Sequence, residues 1–493
     1  MNAQMFIEQR RKQWIALGLF LLLFLCYGYF FPHWADWNQN SRLDLTFSIV
    51  EQHTFSIDSY HTNTGDKLYF EGHYYCDKAP GLSFAGVPVY AAIRPVLTSP
   101  VLAPLLDRLS RGGALHDTLN PEGTGINEQK VRFAIAQYVL TVVLVCLPSA
   151  LLCVLLYCFL ARFTPRLWPR LVLVLAYGLG TTAFPYSISF YGHQSGAVLT
   201  FAAFFLAFRV KSGQAPWWHL WVTGALLGYA VLTEYPTGLI AAIVCLYAVL
   251  GLRNWKAALP IVLAALLSIL VWMAYNQVRF GTPLELGYQY HATFTEHNQA
   301  GWAGLAGLRW QALWDIMFSP NKGLFFRSPF LLLALPGTII LWQDKRYRLE
   351  LTCSILIIVG YALYAASFYD WGGGHTAGPR YLVAMLPFMI FPTAPFLESR
   401  RWRWLALLLA GVSIILVSAE TMVGQHFPYQ DLSNSWSQYV WPSWQSGDIA
   451  RNMGTVIGLP SYYSLVPLLI IIVGGLLWIL RIGSAPQQHV AQA

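Results

Sequence analysis

Charge is what this sequence has least of. Only 11% of its 493 residues are Asp, Glu, Lys or Arg, against 56% apolar residues. That balance excludes a disordered chain and an ordinary soluble domain, and describes a polytopic membrane protein. Cysteine is sparse as well: Cys26, Cys146, Cys153, Cys158, Cys245 and Cys353 lie inside apolar segments and only Cys76 in a loop. Neither a disulfide framework nor zinc-ligand spacing exists here. Also missing are a dinucleotide fingerprint, a metalloprotease helix and a Ser-His-Asp order, and no period of about 20 to 50 residues marks a repeat array.

What charge there is has a pattern. The net charge of +8 does not point to nucleic acid, because the basic residues gather in short clusters between apolar runs, the orientation signal of membrane helices. At about 20 apolar residues per crossing, about twelve spans are predicted, near 14–31, 133–160, 171–187, 195–209, 219–233, 236–251, 257–275, 328–341, 351–367, 381–397, 404–420 and 462–480. The first, with its basic start "MNAQMFIEQRRKQ" and no small-residue cleavage site, reads as a retained signal anchor. The connections "ARFTPRLWPR", "RVKSGQAPWWH", "LRNWK", "WQDKRYRLE" and "ESRRWRW" are short and basic, hence cytoplasmic. Both termini then lie inside, and the long, aromatic, acid-bearing loops lie outside. The expected organisation is a single transmembrane domain over 1–493, with a first outer loop at 32–131 and further outer loops at 277–327 and 421–461. Residues 82–105 are apolar too, but their prolines and Arg94 make them a juxtamembrane or re-entrant segment rather than a span.

Candidate chemistry sits on the outer side in three clusters. The first loop carries "NQNSRLDLTFSIVEQHTFSID" and "TGDKLYFEGHYYCDKAPG". Leu43, Phe47 and Val50 form one stripe, predicting an amphipathic juxtamembrane helix over 40–52. Arg42 and Asp44 flank its start, while Asp77 and Lys78, close to Tyr75, precede a Pro-Gly turn. Two cations with acids at a membrane surface suit recognition of a lipid phosphate and activation of a hydroxyl; a solvated helix face would carry the same residues. The second cluster, at helix ends, holds Tyr191, His193, Glu234 and Tyr235, with Glu234 suited to sugar hydroxyls or a metal ion. The third joins "SPNKGLFFRSP" to "FYDWGGGHTAGPRYL". Arg327 and Arg380 are placed to clamp a phosphate, Trp371 to stack on a sugar, and Asp370 and His375 to bind sugar or acceptor. The glycine run lacks the Lys-Ser/Thr of a nucleotide loop.

The order of first helix, acid and arginine, amphipathic helix and an aromatic stretch ending in Asp-Lys-Ala-Pro resembles the first loop of the GT-C glycosyltransferases. It is most similar to the family 39 protein mannosyltransferases and the bacterial aminoarabinose transferases of lipid A. The resemblance implies an all-α GT-C bundle in the inner membrane that moves a sugar from a polyprenyl-phosphate donor on the outer face. In the aminoarabinose transferases the loop reads Asp-Glu-Thr-Arg and later Glu-Lys-Pro. Ser41-Arg42 matches the Thr-Arg, and Asp77-Lys78-Ala79-Pro80 approximates the Glu-Lys-Pro. Arg42 and Lys78, with Asn40 beside them, would then bind the lipid phosphate.

One departure matters: Gln39 fills the position of the family's usual catalytic aspartate, and an amide is no base. Asp44 is the nearest acid downstream and the expected base, Asp58 the second choice, with Asp36 upstream and Asp66 later in the loop. The acceptor is a glycan, lipid or protein hydroxyl; direct displacement inverts the anomeric centre, and a divalent cation is compatible with the acids. An oligosaccharide ligase or polymerase that relies on arginines, and a transporter of lipid-linked sugars, are the alternative readings.

Overall fold

The computed structural model describes residues 3–294, 304–428 and 432–484. The protein is an all-α polytopic membrane protein. Among the described residues, six helices are long and apolar enough to cross a membrane: Asn127–Leu160, Trp255–Phe280, Lys345–Ser367, Arg380–Glu398, Arg403–Val423 and Ser461–Ser484. Helix α1 (Ala3–Tyr27), Gly192–Lys211 and the shorter Leu167–Gly180, His219–Thr233, Thr237–Leu252 and Pro329–Trp342 account for the other predicted apolar runs.

Packing follows side-chain size. Phe159 lies within 6.2 Å, centroid to centroid, of Phe163, Phe201, Phe204, Phe205, Phe208 and Phe391, an aromatic knot that joins three helices. Small residues do the opposite work between His219–Thr233 and Ala258–Phe280. A Cβ added to Gly224 would lie 2.2 Å from the Ile261 carbonyl oxygen, and one on Gly228 would lie 2.7 Å from Ala265 Cα. The Gly-x-x-x-Gly spacing therefore lets two backbones touch. The first and last helices pair as well, with Trp14 edge-on to Trp478 at 6.4 Å. On Ala258–Phe280 the outward leucines Leu259, Leu263, Leu267 and Leu270 are exposed, as expected of a face solvated by lipid.

Within 32–131 the chain builds a small unit whose apolar core, Trp34, Leu43, Phe47, Tyr60, Leu82 and Tyr90, lies beside a buried polar face. Helix α2 (Trp37–Gln52) starts at Asp36, whose carboxylate accepts from the amides of Asn38 and Gln39, a standard way of satisfying orphan amides at a helix start. It begins three residues ahead of the predicted helix, and residues 38–48 are all buried. Its polar residues are not solvated: Asn40 and Asp44 turn to Asn63 within the loop, while Gln39 and Arg42 reach Phe190 and Glu234 of the bundle. Strands β1 (Lys67–Phe70) and β2 (His73–Cys76) form a hairpin, the sole paired strands among the described residues. Its two-residue turn is Glu71-Gly72, both at positive φ (49° and 88°), the geometry that matches strand twist. Helix α3 (Gly81–Leu97) takes up the first part of the apolar segment 82–105. It is 17 residues long, carries Pro88 and Pro95 inside it and packs along α2.

Candidate active site

The hairpin register builds the first wall of the site. Lys67 pairs with Cys76, so Asp66 and Asp77, one step beyond each strand, end side by side. Lys78 follows and places its Nζ 2.7 Å from a carboxylate oxygen of each. An isolated bridge from Leu68 to His291 brings His291 Nε2 to 3.4 Å from Asp77 Oδ2. Arg42, on the face of α2 towards these residues, is fixed by Nε on Asn38 Oδ1 and Nη1 on the Ala79 carbonyl. Its Nη2 lies 3.5 Å from Glu234 Oε2.

These groups line a cavity of about 800 Å³ where the first loop meets the bundle. Three cations face it: Arg42, Lys78 and Arg380. So do five carboxylates: Asp36, Asp66, Asp77, Glu234 and Asp370. Every cation has an acid at hand, since Arg380 Nη2 lies 4.0 Å from Asp370 Oδ2. Tyr191, Tyr235, Tyr288 and Tyr381 supply aromatic walls, and His193, His375 and His426 imidazoles. His193 Nδ1 stands 3.4 Å from Glu234 Oε1, and Trp272 donates to the Tyr235 hydroxyl.

Burial sets the proton chemistry. It pushes Glu234 up, against the pull of Arg42, Arg380 and Lys78, and Glu234 Oε2 has no hydrogen-bond partner among the described residues. Asp77 is buried as well, yet the Lys78 charge and His291 hold it well below the usual carboxylate range. Burial likewise opposes the charge of Lys78, but Asp66 and Asp77 overcome it and raise its pKa. Asp66, Asp77 and His291 have ligand atoms within 4.8 Å of one another, a spacing that admits a divalent cation. The present arrangement does not fit one. Lys78 Nζ occupies the gap between the carboxylates. The amides of Thr293 and Phe294 donate to His291 Nδ1, which keeps the proton on Nε2, the atom turned to Asp77.

The glycine turn supports the far wall. Gly373 and Gly374 both have φ of 67°, and a Cβ on Gly373 would lie 2.9 Å from Arg380 Cγ, so the backbone wraps Arg380. Lys322 Nζ donates to the carbonyls of Gly374 and Thr376. Burial, then Arg327 and Arg380, brings its pKa down to about 7.

Of the residues singled out in the sequence, Arg42, Asp66, Asp77, Lys78, His193, Glu234, Tyr235, Asp370, His375 and Arg380 meet in this cavity. Others do not line it. Asp44, the expected base, is fully buried on the other side of α2, where it accepts from Asn63 Nδ2 at 2.9 Å. Residues two apart on a helix point in nearly opposite directions, and burial raises the Asp44 pKa far above normal. Asp58, the second choice, sits half-exposed on the hairpin. Partial burial pushes it up, but bonds from Ser56, the Tyr74 amide and His73 hold it low. Asn40 donates to the Asn63 carbonyl, Tyr75 lies under the Arg279 guanidinium, and Trp371 packs against the apolar core. Arg327, expected to clamp a phosphate, lies outside the cavity lining: it is wholly buried, with Nε on both Glu420 oxygens and Nη2 on Ser435 and the Asn321 carbonyl. Lys322, His291 and His426 belong to or support the site and were not singled out. Each reaches the site through a contact between segments far apart in sequence, Leu68 to His291, Lys322 to Gly374 and His426 to Asp36, so local pattern carries no signal for it.

No family model matches the chain, and no curated protein matches it by sequence. Among solved structures, the chain is similar to the crystal structure of ArnT from Cupriavidus metallidurans bound to undecaprenyl phosphate, at 13% identity, over 98% of this chain and 76% of that one, with a TM-score of 0.48. What the cavity can do follows from its own residues.

Proposed function

We propose that this protein is a GT-C-type glycosyltransferase that moves a sugar from a polyprenyl-phosphate donor to an acceptor hydroxyl at the outer face of the inner membrane, with inversion. The observation that carries this reading is the meeting of Arg42, Lys78 and Arg380 with carboxylates and tyrosines in one cavity of about 800 Å³. That is the size of a small-ligand site, and its composition answers three needs of one reaction. The guanidiniums and the ammonium stabilise charge as it builds on the departing phosphate. Tyr191, Tyr288 and Tyr381 offer faces to a sugar ring. The carboxylates offer acceptors to its hydroxyls, Glu234 Oε2 above all.

An incoming phosphate competes with acids for the same cations. The loosest pairings are Arg42 with Glu234 and Arg380 with Asp370, so these two arginines take the phosphate with least rearrangement. Lys78, pinned between Asp66 and Asp77, holds the hairpin end in register and supplies its charge from the side. Five carboxylates facing three cations also disfavour a second free anion, which suits a neutral acceptor hydroxyl.

The test is transfer of radiolabelled sugar from a panel of polyprenyl-phosphate sugars in membranes carrying the protein, with wild type beside Arg42→Ala and Arg380→Ala. Donor-dependent labelling that falls by about 100-fold or more in each variant is the expected result. If no donor is consumed, yet lipid-linked sugar changes leaflet, the protein is a transporter.

A further inference from the structure

Gln39 stands where the resembling family keeps an aspartate, and it is fully occupied as a brace. Its Oε1 accepts from the Phe190 amide at 2.7 Å and from Gln137 Nε2 at 3.2 Å, while its Nε2 donates to the His33 carbonyl and to Asp36. The brace sets Asp36 against the cavity wall. Asp36 Oδ1 takes the two helix-start amides and Oδ2 takes the Tyr191 hydroxyl. On the other side of Oδ2, at 3.6 Å, is His426 Nδ1.

We infer that His426 is the general base of the transfer and that Asp36 is the carboxylate that orients it. This rests on the glycosyl-transfer reading above. Asp36 is fixed by five contacts and cannot follow a substrate, but it favours a proton on the His426 nitrogen turned towards it. The inference assigns proton uptake to Nε2, the arrangement of a carboxylate-backed imidazole base. The 3.6 Å separation is the loose geometry expected before substrate closes the site. Burial works against the ionised form of Asp36, yet the contacts from His426 and Tyr191 hold its pKa well below the usual range. The carboxylate therefore stays charged and stabilises the imidazolium that forms.

The second support is a partition. His426 lines the main cavity and also a smaller pocket of about 140 Å³ on its other side, shared with His33, Asp117 and Arg451. The His33 ring stacks on His426 at 5.2 Å and 18°, and an isolated bridge to Thr376 fixes the backbone. From the cavity side His426 faces Asp36 and Tyr191. From the pocket side it faces His33, Asp117, Tyr439, Asp448 and Arg451, with Arg451 and Asp117 paired at 2.7 Å. Burial and the nearness of His426 lower the His33 pKa to about 4, so His33 is neutral and does not oppose a charged neighbour.

The step balances. The acceptor oxygen bonds to the anomeric carbon, the bond from that carbon to the phosphate oxygen breaks with its electron pair on the oxygen, and the acceptor proton passes to His426. Prenyl phosphate leaves. Because donor and acceptor then fill the large cavity, the small pocket gives the proton its way to solvent.

The test uses the full chain in nanodiscs with a donor that supports transfer, across about pH 5 to 8, the range in which an imidazole changes charge. Wild-type turnover falls towards acid pH. His426→Gln lowers turnover by about 10² to 10⁴-fold, leaves the donor KM unchanged and removes the acid limb, and added imidazole restores part of the rate. Wild-type turnover in His426→Gln overturns the inference. If that variant does not fold, a wild-type rate that stays flat down to about pH 5 overturns it just as well. Absence of transfer from any donor in wild type sinks the transferase reading itself, and this inference with it.

Discussion

A carboxyl buried with no ion pair is held in its neutral form, and Asp44 is such a group: no exposure, one hydrogen bond from Asn63, and a strongly raised pKa in which burial outweighs the pull of Lys67. Neutral Asp and Asn have nearly the same shape. Asp44→Asn should therefore leave transfer at the wild-type level, because the side chain never reaches the cavity, and should cost under about 1 kcal/mol of stability. Comparing turnover and apparent melting temperature of this variant with wild type checks both points; a collapse of turnover would return Asp44 to the chemistry. Two positions away, Arg42 has the opposite environment. Its Nη2 faces the cavity and a carboxylate at 3.5 Å, so its charge is available to a ligand.

At the level of elements, the site depends on a hairpin and on a helix contact behind it. The turn Glu71-Gly72 sets a register in which Asp66 and Asp77 meet across Lys78; a slip by one residue would turn one of them away. Behind the loop, Gly81 opens α3 so close to the end of His219–Thr233 that a Cβ there would lie 2.5 Å from Thr233 Oγ1. That helix in turn rests on Ala258–Phe280 through Gly224 and Gly228. Gly224→Val puts branched carbon into the space of the Ile261 carbonyl. It should destabilise by at least about 1 to 3 kcal/mol, the cost of overpacking, and should reduce transfer by shifting Glu234, which follows the helix. A thermal shift in detergent reads the first effect, and a variant as stable as wild type would show that the two helices can separate without strain. The helices themselves were legible in the sequence because an apolar run states its own length. The basic clusters and the pair Arg42 and Lys78 were legible too, since they are local. The partnership of Asp66 with Asp77 was not, for it depends on a turn the sequence does not announce to a reader of apolar runs. Nor was His426, which meets Asp36 across almost the whole chain.

For the whole molecule, the remaining question is which way round it stands. The cavity lies at the end of the bundle that carries the first loop, and the basic ends, such as Arg209 and Lys211 in the last turn of Gly192–Lys211, are at the other ends of the same helices. On the reading proposed above, in which the charge bias keeps these basic ends inside, the cavity faces outward, where a lipid-linked donor would present its head group. Glu71 at the hairpin tip and Ser212 after the basic turn are both exposed, so each tolerates a labelling cysteine. With the native exposed Cys158 replaced by Ser, Glu71→Cys should react with a membrane-impermeant maleimide in intact cells, and Ser212→Cys only after permeabilisation. The reverse pattern would put the cavity on the cytoplasmic side. The arginine and lysine chemistry would survive that result, but the donor would have to be one made and consumed on the inner leaflet, and the acceptor could no longer be a component of the outer surface.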